Sequence, residues 1–262
     1  SVFMTKNTSM PFVFKRKVLD AAFMSSILYA AESWLTEDFR KLEKHYICAL
    51  KLLLGVRCST PNALCQIELG MPDLKYLIRE KRCNFIQKFC SRATGEEPLS
   101  RVLALCEQSD TPGWRLISAA KASTQNEKMV GMQKLKAYCA ARDSSKFTQY
   151  REMNPDLDQH PVYHSKLLIP EYRRLAFTRF RLSSHNLKVE TGRWSRLPRE
   201  QRLCSCELAR VQDEAHVLFD CPLTNRIRNH FVQSCGRNFN VFFHGNSFDI
   251  CAVTYNVLNT YE

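Results

Sequence analysis

The chain lacks any apolar run long enough to cross a bilayer, which removes a membrane-spanning helix from the expected fold. Its first residues, SVFMTKNTSMPF, lack a basic stretch followed by an apolar one, the pattern of a secretory leader. There is no internal repeat and no low-complexity tract, so neither a solenoid nor a polar disordered chain is expected. Acidic residues are in short supply: 26 Asp and Glu stand against 38 Lys and Arg, a formal net charge of +12. A field of that sign and size favours polyanions, with nucleic acid first among them; a basic protein without such a partner is the alternative. Without a leader, a reducing intracellular compartment is expected, nuclear or cytoplasmic, where thiols stay free or hold metal. The sequence begins at Ser1 rather than Met, and a piece of a longer protein is expected.

What is present is mostly helical in pattern. Hydrophobic residues make up 45% of the chain and charged residues 24%, enough for a core and ordinary for a folded protein. PFVFKRKVLDAAFMSSILYAAESW opens on Pro11, tolerated in a first turn, and carries Val18, Leu19, Ala22 and Phe23 at helical spacing. TEDFRKLEKHYICALKLLLG offers Thr36 as a cap, a stripe of Leu42, Tyr46, Ala49, Leu50 and Leu53, and Gly55 as the stop. STPNALCQIELG repeats that grammar with Thr60, Pro61 and Gly70. DLKYLIREKRCNFIQKFCSR is expected to turn Leu74, Leu77, Ile78, Phe85, Ile86 and Phe89 inward. Its basic face, including Lys81 and Arg82, either follows a phosphate backbone or is simply solvated. Residues 96–165 are punctuated by Pro98, Pro112, Gly113 and Pro155 and read as a loose helical connector. Its end, DSSKFTQYREMNPDLDQHPVYH, reads as linker, with His160 and His164 a loop pair rather than ligands.

From about residue 166 a second unit is expected. IPEYRRLAFTRFRLSSHNL reads as a helix begun by Pro170, in which Tyr172, Leu175, Ala176, Phe180 and Leu182 alternate with Arg173, Arg174, Arg179 and Arg181. Arginines grip backbones and aromatics stack on bases, so the mixture fits a nucleic-acid surface; an ordinary amphipathic helix has the same composition. Arg193, Arg196 and Arg202 follow, and Arg226 and Arg228 lie beyond. Between them, RLCSCELARVQDEAHVLFDCP sets Cys204, Cys206, His216 and Cys221 in the order C-x-C-x9-H-x4-C. Three thiols and an imidazole suit a tetrahedral Zn²⁺ ion, and four protein ligands leave no open position, so a structural metal is expected. Free thiols beside a surface histidine are the bland alternative.

These residues resemble the C-terminal part of LINE-type (non-LTR) retrotransposon reverse transcriptases. The run from Arg202 is similar to that family's zinc-binding segment, R-x-C-x-C followed by E-D-E-x-H-x-L-x-x-C-P and R-x-x-F; Arg202, Asp213, Glu214, His216, Leu218, Cys221, Pro222, Arg228 and Phe231 fit it. FTRFRLSSHNLKVETGRW looks like the arginine-rich segment before that knuckle. KRKVLDAAFMSSILYAAESW and LKLLLGVRCSTPNALCQIELGMPDL resemble the segments that follow the polymerase palm, with Ala30 where glycine is common. The four motifs stand in the family's order, and the middle of the chain matches weakly.

The resemblance implies a mainly α fold: a helical thumb-like bundle over residues 1–95, a connector over 96–165, an arginine-rich CCHC zinc-knuckle unit over 166–240 and a tail over 241–262. It implies RNA or DNA as partner, in target-primed reverse transcription. It also implies that this chain is not itself an enzyme. Nucleotidyl transfer uses carboxylates that hold paired Mg²⁺ ions; in the family these come from the palm and a Tyr-x-Asp-Asp hairpin, and no two aspartates are adjacent anywhere in this sequence. A zinc-stapled protein-interaction module, or a decayed or domesticated remnant with no nucleic-acid role, remains the rival reading.

Overall fold

The structure is a computed structural model that describes residues 9–34, 38–92, 98–108, 112–123, 126–164, 169–228 and 230–261. Those residues are mainly helical, as expected, and contain no strand; one isolated antiparallel bridge joins Leu203 to Val211. Helix α1 (Phe12–Val18) runs on through a π-helical turn at Leu19–Met24. Helix α2 (Arg40–Leu54) buries Tyr46, Ile47, Leu50, Leu53 and Leu54, a single face at helical spacing. The Thr36 cap expected for it lies outside the described residues.

Gly55 ends α2 in the left-handed region at φ +68 and donates its N–H to the Lys51 carbonyl. A Cβ at that position would sit 2.3 Å from the Leu175 side chain, so the glycine serves both the turn and the close approach of a later helix. Helix α3 (Asn62–Leu69) is buried from Ala63 to Leu69, Gln66 and Glu68 included. Thr60 does not cap it: Pro61 takes the N-cap position, and the Thr60 hydroxyl is buried without a partner.

Helix α4 (Leu74–Arg92) departs from its expected stripe. Leu74, Tyr76, Ile78, Arg82, Cys83 and Ile86 are buried, whereas Phe85 is 46% exposed and lies beside Phe89 on the surface. The cause is that α4 serves several neighbours at once: the turn Ala31–Ser33, helix α6 (Pro112–Ala122) and helix α7 (Glu127–Ala141). Helix α5 (Pro98–Gln108) precedes α6. The segment read as linker is also corrected. Its first part is helix α8 (Ser145–Met153), which turns Phe147, Tyr150 and Met153 into the core at i, i+3 and i+6, a spacing masked by polar flanks.

Helix α9 (Glu171–Arg181) follows, then α10 (Lys188–Trp194), α11 (His230–Ser234), α12 (Phe239–Phe243) and α13 (Ser247–Asn259). The expected tail is thus α12 in part and α13. Helix α13 packs against α9 and buries Ile250, Cys251, Val253, Val257 and Leu258. One contiguous apolar cluster runs from Phe12 to Leu258, so the stretches expected as separate units contribute to a common core.

A polar network threads that core. Lys15 reaches Glu171 at 2.9 Å, and Arg174 grips the same carboxylate at 2.7 Å. Arg174 also donates to Thr178, whose hydroxyl meets the Tyr163 hydroxyl. Tyr163 donates to Glu68, which takes Arg181 on both oxygens and a further bond from Tyr150. Burial would raise the Glu68 carboxyl, but the Arg181 charge and the bonds from Arg181 and Tyr150 outweigh it and hold it below its usual value. Such a network adds little net stability over apolar packing, yet removing one member strands a buried charge; it therefore fixes how α1, α3, α8 and α9 meet.

Candidate metal centre

The four residues picked out by donor chemistry converge. Cys204, Cys206, His216 and Cys221 are all buried, and their ligand atoms lie within 4.8 Å of one another. The Cys204 and Cys221 sulfurs are 3.7 Å apart, and the Cys206 sulfur is 3.3 Å from His216 Nε2. A sulfur pair at that distance is not bonded; all twelve cysteines are free thiols.

Local backbone structure explains the convergence. The Leu203–Val211 bridge and the bond from the Cys204 N–H to the Arg210 carbonyl close a tight loop that presents the first two sulfurs. Asp213 accepts the His216 N–H at 3.0 Å, starting the π-helical turn His216–Asp220 that ends on Cys221. Val217 and Leu218 on that turn are fully buried in the main core, which anchors the site beneath. Glu214, also fully buried, accepts from His185 at 2.8 Å and from Ser183 at 3.1 Å. Burial alone would raise its carboxyl, but His185 and a bond from Gln149 bring it to about 2. The charged carboxylate thereby ties the ligand turn to the end of α9.

The electrostatics suit metal ligation. Burial raises the Cys204 thiol, and hydrogen bonds from Cys206, Cys221 and Gln212 more than reverse that, leaving it below the ordinary thiol value. Burial raises Cys221, partly offset by the Tyr261 hydroxyl, which donates to its sulfur at 2.9 Å. Burial also lowers His216, despite Asp213 and Asp220, and so favours the neutral imidazole that metals require. Its Nδ1 is buried with no protein partner. Three sulfurs and one imidazole in a closed, buried group could hold a metal ion. Gln212 and Tyr261, which touch the sulfurs, were not singled out by sequence; Tyr261 lies 40 residues beyond Cys221.

The cationic residues expected on nucleic acid divide into two sets. Arg174 and Arg181 are 2% and 1% exposed, their guanidiniums committed to Glu171, Thr178 and Glu68. Arg82 is 4% exposed and donates to the Trp34 carbonyl. Arg202 spends all three nitrogens on the Leu197 and Val189 carbonyls, with Gly192 against its stem. For Arg82, Arg174 and Arg181 burial corrects the expectation of contact with a polyanion; Arg202 is half-buried, with its bonds turned to the fold.

The other residues remain at the surface. Lys81 pairs with Glu32, Arg193 with Glu190, and Arg228 bonds Thr224 and Asn225. Arg179, Arg196 and Arg226 are exposed, and Arg173 is half-buried. His160 is buried and bonded to the Phe243 carbonyl, while His164 bonds Gln159; neither approaches the cysteine cluster. Among the described residues no helix is long and apolar enough to cross a membrane. No protein-family model matches the chain. No curated protein and no solved structure matches it either.

Proposed function

We propose that the chain is a zinc-stapled, nucleic-acid-binding part of a LINE-type reverse transcriptase, intracellular, and without polymerase chemistry of its own. The observation that carries the reading is the burial of Cys204, Cys206, His216 and Cys221 around one point, in the segment where the sequence resembles that family's zinc-binding motif. The donor set is the one zinc prefers. Tetrahedral Zn–S bonds of about 2.3 Å would set sulfurs about 3.8 Å apart, and Cys204 and Cys221 stand at 3.7 Å. With four protein ligands the ion would supply folding energy rather than an activated water. Arg173, Arg179, Arg193, Arg196, Arg226, Arg228 and Lys81 offer cationic groups at the surface, and the net charge of +12 favours a polyanion.

The test has two parts. Metal analysis of the purified chain should find one zinc per chain, lost in Cys204→Ser; a folded wild type without metal would overturn the zinc assignment. Fluorescence anisotropy should show RNA or DNA binding that falls steeply between about 50 and 200 mM salt. Affinity unchanged over that range would remove the nucleic-acid reading. A second reading, a zinc-stapled protein-interaction module, draws on Leu203, Leu208 and Leu223, which are 39%, 46% and 48% exposed on the loops bearing the cysteines. It would be preferred if no nucleic acid bound even at low salt.

A further inference from the structure

Two concavities among the described residues differ in chemistry. The larger, about 1490 Å³ between α2, α3, α4 and α7, mixes Arg40, Lys51, Lys75, Lys134 and Arg142 with Asp38, Glu43 and Asp73, so carboxylates offset much of its positive charge. The smaller, about 440 Å³, is lined by Arg57 and Arg179 and by no Asp or Glu. It lies between the turn after α2, the exposed side of α9 and the end of α13.

Both arginines keep donors in hand. Arg57 gives one N–H to the His185 carbonyl and one to Asn186; Arg179 gives its Nε–H to the Gly55 carbonyl. Each guanidinium carries five N–H groups, so most remain unused. These bonds to backbone and amide hold the two forks in place without neutralising them. Burial lowers the Arg57 guanidinium, Glu190 offsets part of that, and the neighbouring Arg179 charge adds to it. Two fixed, like charges facing one small cavity are the arrangement that an anion relieves.

The flanks are aromatic. On one side the Arg57 guanidinium lies 4.3 Å from the Trp194 ring, which is 58% exposed. On the other, Tyr172 is 50% exposed, braced edge-on by Tyr255 at 4.7 Å. Arg173 sits over both Tyr172 and Phe248, and its Nε is buried without a partner. The result is a pair of exposed rings, Trp194 beside the pocket and Tyr172 on its wall, with the Arg57 and Arg179 guanidiniums lining a cavity that has room for a phosphate. Duplex bases are stacked on each other and present no faces; only an unpaired strand can use such rings.

We propose that the Arg57–Arg179 pocket seats a backbone phosphate of a single-stranded nucleic acid, with the neighbouring bases stacked on Trp194 and Tyr172. The proposal rests on the nucleic-acid reading above and narrows it to one surface and one strand state. It excludes Arg174 and Arg181 from contact although they belong to the same helix.

The test is fluorescence anisotropy of the full chain with a labelled oligo-uridine and with a duplex of equal length. Circular dichroism melting would confirm that each variant is folded. Wild type should bind the single strand more tightly than the duplex. Trp194→Ala and Tyr172→Ala should each weaken single-strand binding about tenfold, and binding should quench tryptophan fluorescence in wild type but far less in Trp194→Phe. Arg179→Gln should reduce the slope of log affinity against log salt by about 0.7, the loss of one phosphate contact. If wild type binds and these folded variants leave affinity and slope unchanged, the pocket is not the seat, while the broader reading stands. If wild type binds neither nucleic acid, both fall together.

Discussion

Arg181 and Glu68 face each other at 2.9 Å across 113 residues of sequence, with neither side chain reaching solvent. Arg181→Met would leave the carboxylate buried and uncompensated, at a cost of about 3–5 kcal/mol. The double variant Glu68→Gln with Arg181→Met should regain most of that loss. Tyr150 bonds one Glu68 oxygen and Tyr163 the other, so the amide oxygen still accepts from one of the two tyrosines; the amide N–H faces the second hydroxyl as a donor, and no charge remains. Urea titrations of the three proteins check it; a loss below about 1 kcal/mol for Arg181→Met alone would show that the pair is not sealed from water.

His160 predicts an acid sensitivity. Its Nε2–H donates to the Phe243 carbonyl at 2.7 Å, and its Nδ1 accepts from the Val162 N–H at 3.1 Å, so the folded site suits the neutral ring. Burial, and then the Arg181 charge, hold it at about 4, with the bond to Phe243 and the Glu68 charge acting the other way. A histidine depressed in the folded state is neutral in both states above its ordinary value near 6.5, where its contribution is intact. As pH falls from 6.5 towards 4 the unfolded chain takes up the proton first, and stability drops by up to about 3 kcal/mol. Stability measured at successive pH values should fall over that window in wild type, and the slope should flatten in His160→Gln. Parallel slopes would assign the acid sensitivity elsewhere.

Tyr261 predicts a metal affinity that depends on a residue outside the motif. Its hydroxyl donates to the Cys221 sulfur, a contact of the kind that tunes a ligand without replacing it. Tyr261→Phe should bind zinc about 10- to 100-fold more weakly in competition with a chromophoric chelator, while stoichiometry at saturation stays the same. Equal affinity in the two proteins would make the contact incidental.

The parts legible in sequence are those whose signal is local. Gly55 and Gly70 both end helices at positive φ, where a stop was read from glycine after an apolar stripe. The four metal-ligand candidates were readable because donor chemistry and spacing lie within one short segment. The arginines were read less well for a physical reason. Composition says that α9 is rich in guanidinium groups, but which of them face inward depends on carboxylates elsewhere: Glu171 on the same helix and Glu68 on α3. Glu68 sits among residues that read as an ordinary helix, and its burial follows from three other elements closing over it. Tyr261 and Arg57 were invisible for the same reason, since each acquires its role only when distant segments meet.

The Lys15–Glu171 and Arg181–Glu68 pairs join positions 156 and 113 residues apart. Each half of the molecule therefore carries charges whose counter-ions belong to the other. A polypeptide of residues 1–142 expressed alone would hold Lys15 without Glu171 and Glu68 without Arg181, and one of residues 143–262 would hold Glu171 without Lys15 and Arg181 without Glu68. Neither should fold by itself, because burying a lone charge costs several kcal/mol. Mixed, they should complement one another into a stoichiometric complex with the helical circular dichroism of the intact chain. A half that folded independently would show that the shared core is divisible.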